Sequence, residues 1–355
     1  MPKTVIVGLS GGVDSSLAAL LLKEKGYHVI GVSMSIYDKD IPTLMPAGNA
    51  CYGPEEKQDI KEIHLLGQKV GIETHVFDCA ADYKRLVLSY FKEAYLQGVT
   101  PNPCVKCNAV MKFGLLQQKA RDAGIDFDYF ATGHYARIDE KEGRFLLKKA
   151  ADLKKDQTYF LYRLTQDQLA HTLFPLGNMT KEEVRILAKE RGLSVYDKPD
   201  SQDFYAGDYN DLLQMPPKKG AIMHVNGTVL GHHQGYWNYT IGQRKGLGVA
   251  YSEPLFVLDL DAHHNIVWVG SAADAQKQEA LVSDLNWIAF TKLDKSLSVL
   301  AKQRSTAIPQ KALLTPEGNK VRVHFEQPQK SITPGQSMVF YDNDIVLGGG
   351  IIERQ

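Results

Sequence analysis

A glycine-rich stretch near the start of the chain, GLSGGVDS (residues 8–15), has the composition of a phosphate-binding loop. It follows an apolar segment and precedes a helical pattern, so its backbone N–H groups would meet at the positive end of a helix dipole. The stretch lacks the lysine of the Gly-x-x-x-x-Gly-Lys-Ser/Thr motif and does not match Gly-x-Gly-x-x-Gly either. Asp14 adds a hard carboxylate ligand of the kind that Mg²⁺ prefers. These residues predict a phosphate and magnesium site outside the two commonest motif classes.

The four cysteines are the second group that could do chemistry: Cys51, Cys79, Cys104 and Cys107. Cys104 and Cys107 form a Cys-x-x-Cys pair at the start of a helix predicted over residues 107–123, and such a pair can form and break a disulfide. The dipole of that helix is expected to lower the pKa of Cys107. Neither a signal-peptide pattern nor an apolar run long enough for a membrane span is present, so we expect a cytoplasmic protein without membrane contact. Thiols, metal ligands or redox groups are therefore expected rather than structural disulfides.

The elements around these residues alternate between short apolar strands and helices. Strands are predicted over residues 4–10, 28–38, 72–78 and 127–138, with helices over residues 14–25, 54–71 and 84–98 between them. This alternation is typical of a parallel sheet with right-handed crossovers. Because ligands of such sheets bind beyond the carboxyl ends of the strands, the loop belongs at that edge, and Cys51 and Cys79 are expected in loops there.

The second half of the chain changes from helical to β patterns. Residues 156–193 are predicted to be mainly helical, with Thr180 and Glu183 forming a capping box. An irregular acidic segment follows at residues 196–211, and alternating apolar and polar residues then predict strands. From about residue 275 a small β-barrel is expected, ending in a hairpin that turns near Asn343 and Asp344.

Composition is that of an ordinary soluble protein of two or three domains, with 355 residues and 44% hydrophobic side chains. The 41 basic and 41 acidic residues cancel, so total charge provides no general attraction to nucleic acid. An uneven distribution of the basic residues would still allow a local basic face.

The loop SGGVDS (residues 10–15) resembles that of the N-type ATP pyrophosphatases, which transfer the adenylyl group of ATP and release pyrophosphate. Further stretches resemble, in the same order, those of the tRNA-specific 2-thiouridylases, which thiolate the wobble uridine (U34) of tRNA. They are GVTPNPCVKCNAVMKFG (98–114), ATGHYAR (131–137), KKDQTYFLYRL (154–164), FPLGNMTKEEVR (174–185), YDKPDSQDF (196–204), YTIGQRKGLG (239–248) and ITPGQSMVFYDNDIVLGGGIIE (332–353). The resemblance spans essentially the whole chain.

This resemblance implies an α/β architecture: a parallel-sheet ATP pyrophosphatase domain (residues 1–205), a small central tRNA-binding domain (206–274) and a C-terminal β-barrel domain (275–355). It also implies ATP and Mg²⁺ as cofactors, with tRNA and an upstream sulfur donor as partners. The residues implied to bind ATP are Gly8, Leu9, Ser10, Gly11, Gly12, Val13, Asp14, Ser15, Met34 and Gly133. Those implied to contact tRNA or the target base are Asn102, Pro103, Cys104, His134, Lys155, Asp156, Gln157, Arg304, Ser305 and Gln336, where Arg304 is expected on a strand and Ser305 replaces an aromatic residue of the family.

In the family's reaction, ATP adenylates the uracil C2 oxygen, and a protein-borne sulfur then displaces AMP. Cys107 matches the family nucleophile. The second cysteine of the family follows an Asp-Ser-Gln-x-x-Cys pattern, but here Tyr205 stands at that position. A phenol cannot carry a sulfane sulfur, so a pairing of residues 107 and 205 is excluded.

Three alternatives remain for the sulfur chemistry. Cys104 could replace the absent thiol as the persulfide partner of Cys107. Cys104 and Cys107 could instead ligate an iron–sulfur cluster (4Fe–4S) together with Cys51 or Cys79, which leaves an iron position open for sulfide. Finally, the chain could be a degenerate relative that binds ATP or tRNA without thiolation. Another adenylating enzyme of the superfamily, such as an amide-forming synthetase, is a further candidate function.

Overall fold

The computed structural model describes residues 2–38, 50–200, 203–205 and 207–354. The chain forms two compact units. The first comprises Met1–Val87, Cys104–Gly207 and Asp344–Val346, and the second comprises Leu88–Pro103, Asp208–Asn343 and Leu347–Gln355. Ser201 and Gln202, from the Asp-Ser-Gln stretch, lie outside the described residues.

A parallel sheet forms the centre of the first unit. Its described strands lie in the order Glu73–Asp78, His28–Ser35, Thr4–Gly8, Tyr129–Thr132 and Thr172–Leu173. The central strand pairs with a neighbour on each side, and its residues Val5, Ile6 and Val7 are fully buried. A strand covered on both faces reads as a continuous apolar run, which is why this segment is easily recognised in the sequence. The parallel-sheet prediction is confirmed.

Helices connect the strands along the first half of the chain, and most begin and end close to their predicted limits. The helices of the first half are Val13–Glu24, Glu56–Val70, the consecutive segments Ala80–Tyr83, Lys84–Leu88 and Ser89–Leu96, and the consecutive segments Pro103–Cys107, Asn108–Leu115 and Leu116–Asp122. Lys84–Leu88 and Asn108–Leu115 are wound as wider π-helices. The second helix stops at Gly71, which adopts a left-handed conformation (φ 66°) that favours glycine.

Residues 156–193 are less helical than the sequence pattern predicts. The structure has a 3₁₀ turn at Thr158–Phe160, a short helix at Gln166–Ala170, the edge strand Thr172–Leu173 and a helix at Lys181–Glu190. Side-chain hydrogen bonds interrupt the helix: the Asp156 carboxylate accepts from the Thr158 hydroxyl (2.8 Å), and Thr165 caps a new helix. The capping box of Thr180 with Glu183 is confirmed.

Two further segments of the first unit form small β elements. The single strand predicted over residues 127–138 is divided, since Tyr129–Thr132 stays in the sheet while Ala136–Lys141 forms a hairpin with Arg144–Lys149. The acidic segment predicted as irregular contains the strand Asp203–Tyr205, which pairs in parallel with Ala50–Tyr52.

The second unit is mainly β. After the short helix Tyr209–Leu213, four described strands form one sheet, in the order Val229–His233, Gly220–His224, Ile266–Gly270 and Phe256–Asp261, and Tyr236–Asn238 forms a 3₁₀ turn. Six described strands form a C-terminal barrel, in the order Gln276–Trp287, Lys320–Lys330, Gln310–Glu317, Leu297–Lys302, Ser337–Asp342 and Ile345–Ile352. The first and last of these strands pair and close the barrel. The predicted barrel and its final hairpin, which turns at Asn343 (φ 53°), are confirmed.

Candidate active site

The glycine-rich loop connects the central strand to the first helix. Gly11 has a φ of 71°, and a Cβ there would lie 3.1 Å from the Asp59 backbone, so this turn requires glycine. Gly12 is the N-cap of the helix and offers no side-chain acceptor to the first-turn N–H groups. The Ser15 hydroxyl accepts a hydrogen bond from the Ser10 amide (3.2 Å) and thereby closes the loop. The arrangement provides N–H groups and hydroxyls to an incoming anion.

Asp14 belongs to a network of charged side chains beside this loop. Its carboxylate accepts hydrogen bonds from the Tyr135 hydroxyl and the Lys181 ammonium, each at 2.8 Å. Lys181 also pairs with Asp200 (2.7 Å), and Lys155 reaches the other oxygen of Asp200 at 2.7 Å. Burial raises the pKa of Asp200, but the hydrogen bonds from the two lysines outweigh it and leave that pKa below its usual range. Asp14 and Asp200 thus share a network of ion pairs with Lys155 and Lys181 beside the loop, and the Arg185 guanidinium lies 3.9 Å from Asp200.

A third lysine contacts the loop itself. The Lys198 ammonium lies 3.1 Å from the Gly11 carbonyl oxygen and 2.6 Å from a carboxylate oxygen of Asp59. Lys181, Lys198, Asp59 and Tyr135 are residues of this site that were not predicted from the sequence. Lys181 is the first residue of the helix that Thr180 caps. A lysine at the start of a helix is unusual, and this was the feature of the sequence that could have indicated its role.

The residues implied to line the adenosine site lie at or beyond the carboxyl ends of strands. Met34 is next to last in the strand His28–Ser35 and lies opposite Phe77. Gly133 directly follows Tyr129–Thr132, and a Cβ on it would be 2.6 Å from the Asp14 carbonyl carbon and the Ser15 nitrogen. Because Gly133 has no side chain, the backbone at the end of the strand Tyr129–Thr132 can approach the start of the helix Val13–Glu24.

Three residues that the resemblance implies to contact tRNA, Asp156, Gln157 and His134, form hydrogen bonds within the first unit. Asp156 accepts from the Ala150 amide (3.1 Å), and the Gln157 side chain accepts from the Tyr135 amide (2.8 Å). His134 shares a hydrogen bond of 2.8 Å with the Thr132 hydroxyl. Burial holds the pKa of His134 well below its usual value, so its imidazole is neutral.

The thiols of the Cys-x-x-Cys pair differ from the sequence expectation. The helix begins at Pro103 rather than at residue 107, so Cys107 lies one turn inside it, where the dipole effect fades. Burial raises the pKa of Cys107 to about 11 and that of Cys104 to about 12, while Lys112 opposes both shifts. The expected lowering of the Cys107 pKa is wrong, because burial outweighs the helix dipole. Both thiols are protonated at neutral pH.

The other two cysteines occupy contrasting environments. Cys79 directly follows the strand Glu73–Asp78, is buried, and has a pKa raised by burial to about 11. Cys51 is exposed and lies within the short strand Ala50–Tyr52 rather than in a loop, which corrects that expectation.

In the second unit, Gln336 and Arg304 each hold backbone carbonyls. The Gln336 amide donates to the carbonyls of Thr100 (3.1 Å) and Pro101 (2.9 Å), directly before the buried Asn102 and Pro103. The Arg304 guanidinium donates to the Ile241 carbonyl (2.8 Å) and to the Thr333 hydroxyl. Arg304 lies beyond the strand Leu297–Lys302, and not on it as expected, because that strand ends two residues earlier; Ser305 follows it.

Comparison with known proteins identifies the family. Three family models match along the chain: a tRNA methyl transferase HUP domain at residues 3–205, a tRNA methyl transferase PRC-barrel domain at residues 212–271 and an aminomethyltransferase beta-barrel domain at residues 277–352. The tRNA-specific 2-thiouridylase MnmA of Endomicrobium trichonymphae is 49% identical over 354 residues, covering 98% of each chain. That of Clostridium perfringens (strain 13) is 46% identical over 359 residues, covering 99% of this chain and 98% of the relative.

The chain belongs to the tRNA-specific 2-thiouridylase MnmA family. The family-level resemblance and the predicted fold class, a parallel-sheet domain followed by a central domain and a β-barrel, are thereby confirmed.

The grouping of the thiols bears on whether this family member could hold a metal ion. In the part of the chain that the structure describes, no three His, Cys, Asp or Glu side chains are grouped so as to hold a metal ion. Among these residues, Cys104 and Cys107 do not form such a group with Cys51 or Cys79, and the iron–sulfur cluster stays a prediction. The same described residues contain no helix long and apolar enough to cross a bilayer.

Proposed function

We propose that this chain uses ATP to replace the C2 oxygen of the wobble uridine (U34) of tRNA with sulfur, as a tRNA-uridine 2-sulfurtransferase. The observation that carries the proposal is 49% identity, over nearly the whole chain, to a relative named as a tRNA-specific 2-thiouridylase. The glycine-rich loop and the nearby Cys-x-x-Cys pair supply the residue types that adenylation and sulfur transfer require. The three domains assigned to residues 1–205, 206–274 and 275–355 would divide ATP binding, tRNA binding and the barrel among them.

The first step is adenylation of the uracil oxygen. Residues 8–15 hold the phosphates of ATP through backbone N–H groups and serine hydroxyls, and Met34 and Gly133 border the adenosine. Asp14 would hold magnesium through a carboxylate oxygen, and the bound ion would neutralise phosphate charge. Lys181 lies 2.8 Å from both Asp14 oxygens, so its ammonium is placed to transfer from the carboxylate to a phosphate when the nucleotide enters. The leaving group is pyrophosphate.

The second step replaces AMP with sulfur. Cys107 acts as the nucleophilic thiol, and it must lose its proton first because burial raises its pKa to about 11. Lys112 is the neighbouring cation that favours this thiolate. Cys104 is one candidate for the partner that carries the sulfane sulfur, although its pKa of about 12 makes it the weaker acid of the pair. The sulfur itself comes from an upstream persulfide carrier or from sulfide.

The residues assigned to tRNA binding fall into two groups. Asn102, Pro103 and Cys104 contact the target base, and His134, Lys155, Asp156, Gln157, Arg304, Ser305 and Gln336 contact the rest of the tRNA. Gln336 donates hydrogen bonds to the carbonyls of Thr100 and Pro101 and so fixes the segment that leads to Asn102. This supports the role of Asn102 at the target base. Because the net charge of the chain is zero, a local basic face must provide the attraction to phosphate.

A tRNA-binding relative without thiolation is the second candidate, and Tyr205 is the residue that favours it. The test uses the purified chain with ATP, Mg²⁺, unmodified tRNA and a persulfide donor, and measures released pyrophosphate and 2-thiouridine by nucleoside mass spectrometry. Both products support the proposal. Pyrophosphate without thiouridine indicates a different adenylating enzyme, and tRNA binding without either product indicates the non-thiolating relative.

Two variants separate the steps of the reaction. Asp14→Ala should suppress pyrophosphate release, because the magnesium ligand is lost. Cys107→Ser should abolish thiouridine formation while pyrophosphate is still released, since a hydroxyl cannot replace the thiolate in sulfur transfer. Full thiolation by Cys107→Ser would remove Cys107 as the nucleophile.

A further inference from the structure

The segment that contains Tyr205 pairs with the segment that contains Cys51. Asp203–Tyr205 and Ala50–Tyr52 form a parallel pair in which Tyr52 lies opposite Tyr205, and their ring centroids are 6.2 Å apart. Cys51 is therefore on the strand adjacent to the position where the resemblance places the family's second cysteine. Adjacent strands lie about 4.8 Å apart, so the backbone of Cys51 is close to the backbone of the strand that holds Tyr205.

Three of the four thiols lie near a single buried tyrosine. Burial raises the pKa of Tyr83, thiolates at Cys107, Cys51 and Cys104 would raise it further, and the Tyr83 ring stacks on Tyr52 with a centroid distance of 5.5 Å. The charged neighbours of Cys79 are instead Lys119, Asp82, Asp78 and Glu56. Cys51 thus belongs with the Cys-x-x-Cys pair, and Cys79 lies in a different environment.

Accessibility distinguishes the members of this group. Cys51 is exposed, whereas Cys104 and Cys107 are partly buried. A sulfur donor must bring its persulfide into contact with the accepting thiol, and exchange depends on access as well as on the thiolate. Cys51 is the member of the group that meets the access requirement.

We propose that Cys51 receives and carries the sulfane sulfur and that Cys107 resolves it, so that Cys51 does the work expected of a cysteine at position 205. This inference rests on the proposed thiolation of tRNA. It assigns the persulfide to a residue that is distant in sequence from Tyr205 but lies on the strand that pairs with Asp203–Tyr205.

Sulfur passes from the donor to uracil in three steps. The Cys51 thiolate takes the outer sulfur of a donor persulfide and releases the donor thiol. The Cys51 persulfide loses its proton and attacks C2 of the adenylated uracil, and AMP leaves with the electron pair of the broken C–O bond. The Cys107 thiolate then attacks the Cys51 sulfur, so that the thiocarbonyl sulfur leaves with the electron pair of the broken S–S bond. The two thiols supply two electrons and become a disulfide, which a dithiol reductant restores.

The test compares Cys51→Ser with Cys79→Ser as the matched control. With ATP, unmodified tRNA and a persulfide donor, Cys51→Ser should release pyrophosphate but form no 2-thiouridine above background. Cys79→Ser should retain both activities. If the wild-type chain forms no thiouridine, the proposed function fails; if Cys51→Ser thiolates at the wild-type rate, the role of Cys51 is refuted and the function stands.

Peptide mapping of the wild-type chain provides a readout that does not depend on how the variants fold. After loading with the persulfide donor alone, the added sulfur should be on the Cys51 peptide. After a turnover with ATP and tRNA but without reductant, a disulfide between Cys51 and Cys107 is expected. A disulfide between Cys104 and Cys107, or thiolation that requires protein-bound iron, would overturn the proposal.

Discussion

Replacing Gly133 by alanine tests how closely the strand end must approach the phosphate loop. A Cβ at this position would lie 2.6 Å from the Asp14 carbonyl carbon and the Ser15 nitrogen, whereas ordinary contact begins at 3.4 Å. Both neighbours are backbone atoms at the start of a helix, so they cannot rotate away. Relief requires a movement of about 0.8 Å of the loop relative to the strand, the difference between these two distances.

This movement has two measurable consequences. Overpacking of this kind typically costs about 1–3 kcal/mol of unfolding free energy. A displacement approaching 1 Å at a positioning element lowers the rate by about 10- to 100-fold. Gly133 does not have a positive φ, so the substitution adds no backbone strain and the effect is attributable to the added methyl group.

The assay is tRNA-dependent pyrophosphate release, combined with urea denaturation of the same samples. Gly114→Ala is the matched control, because the nearest atom to its added Cβ, the Ala109 carbonyl oxygen, lies at an ordinary contact distance of 3.5 Å. The control should retain both activity and stability. If Gly133→Ala released pyrophosphate at the wild-type rate, the close contact between Gly133 and the helix start would not be what positions the loop.

Further predictions concern charge, titration and the second unit. Lys181→Met should lower the free energy of unfolding by about 3–5 kcal/mol at neutral pH, because Asp14 and Asp200 lose a shared partner. The Asp200 pKa lies below its usual range, so the stability from its ion pairs should be present above about pH 4 and be lost as the pH falls further. The free energy of unfolding should therefore fall more steeply with acid in the wild type than in Lys181→Met. Alkylation of Cys107 should accelerate about tenfold per pH unit from about pH 7 to pH 9, given its pKa of about 11, and a plateau would contradict that value. Gln336→Leu should cost about 1–3 kcal/mol in denaturation experiments, because two carbonyls lose their donor. Binding of tRNA should weaken steeply with added salt in filter-binding measurements, and a flat response would argue against a basic face.

Local signals in the chain correctly predicted many of its elements. The buried strand around Ile6, the stop at Gly71 and the capping box of Thr180 are each encoded within a few residues. Alternation of apolar and polar residues likewise predicted the C-terminal barrel and its last turn. Helix over residues 156–193 was predicted wrongly because Asp156 and Thr165 form side-chain hydrogen bonds that compete with helix formation.

The order of the residues is enough to predict a phosphate loop, a Cys-x-x-Cys pair and the family resemblance, because these features depend on residue type at short spacing. Only the folded chain brings Lys181 to Asp14 across 167 positions and aligns Tyr52 with Tyr205. Burial, which is a property of the assembled core, also reverses the expected effect on the Cys107 thiol. Local periodicity carries no information about pairings between residues far apart in sequence or about the burial of a thiol. Tertiary packing therefore decides both the charge network and the grouping of the cysteines.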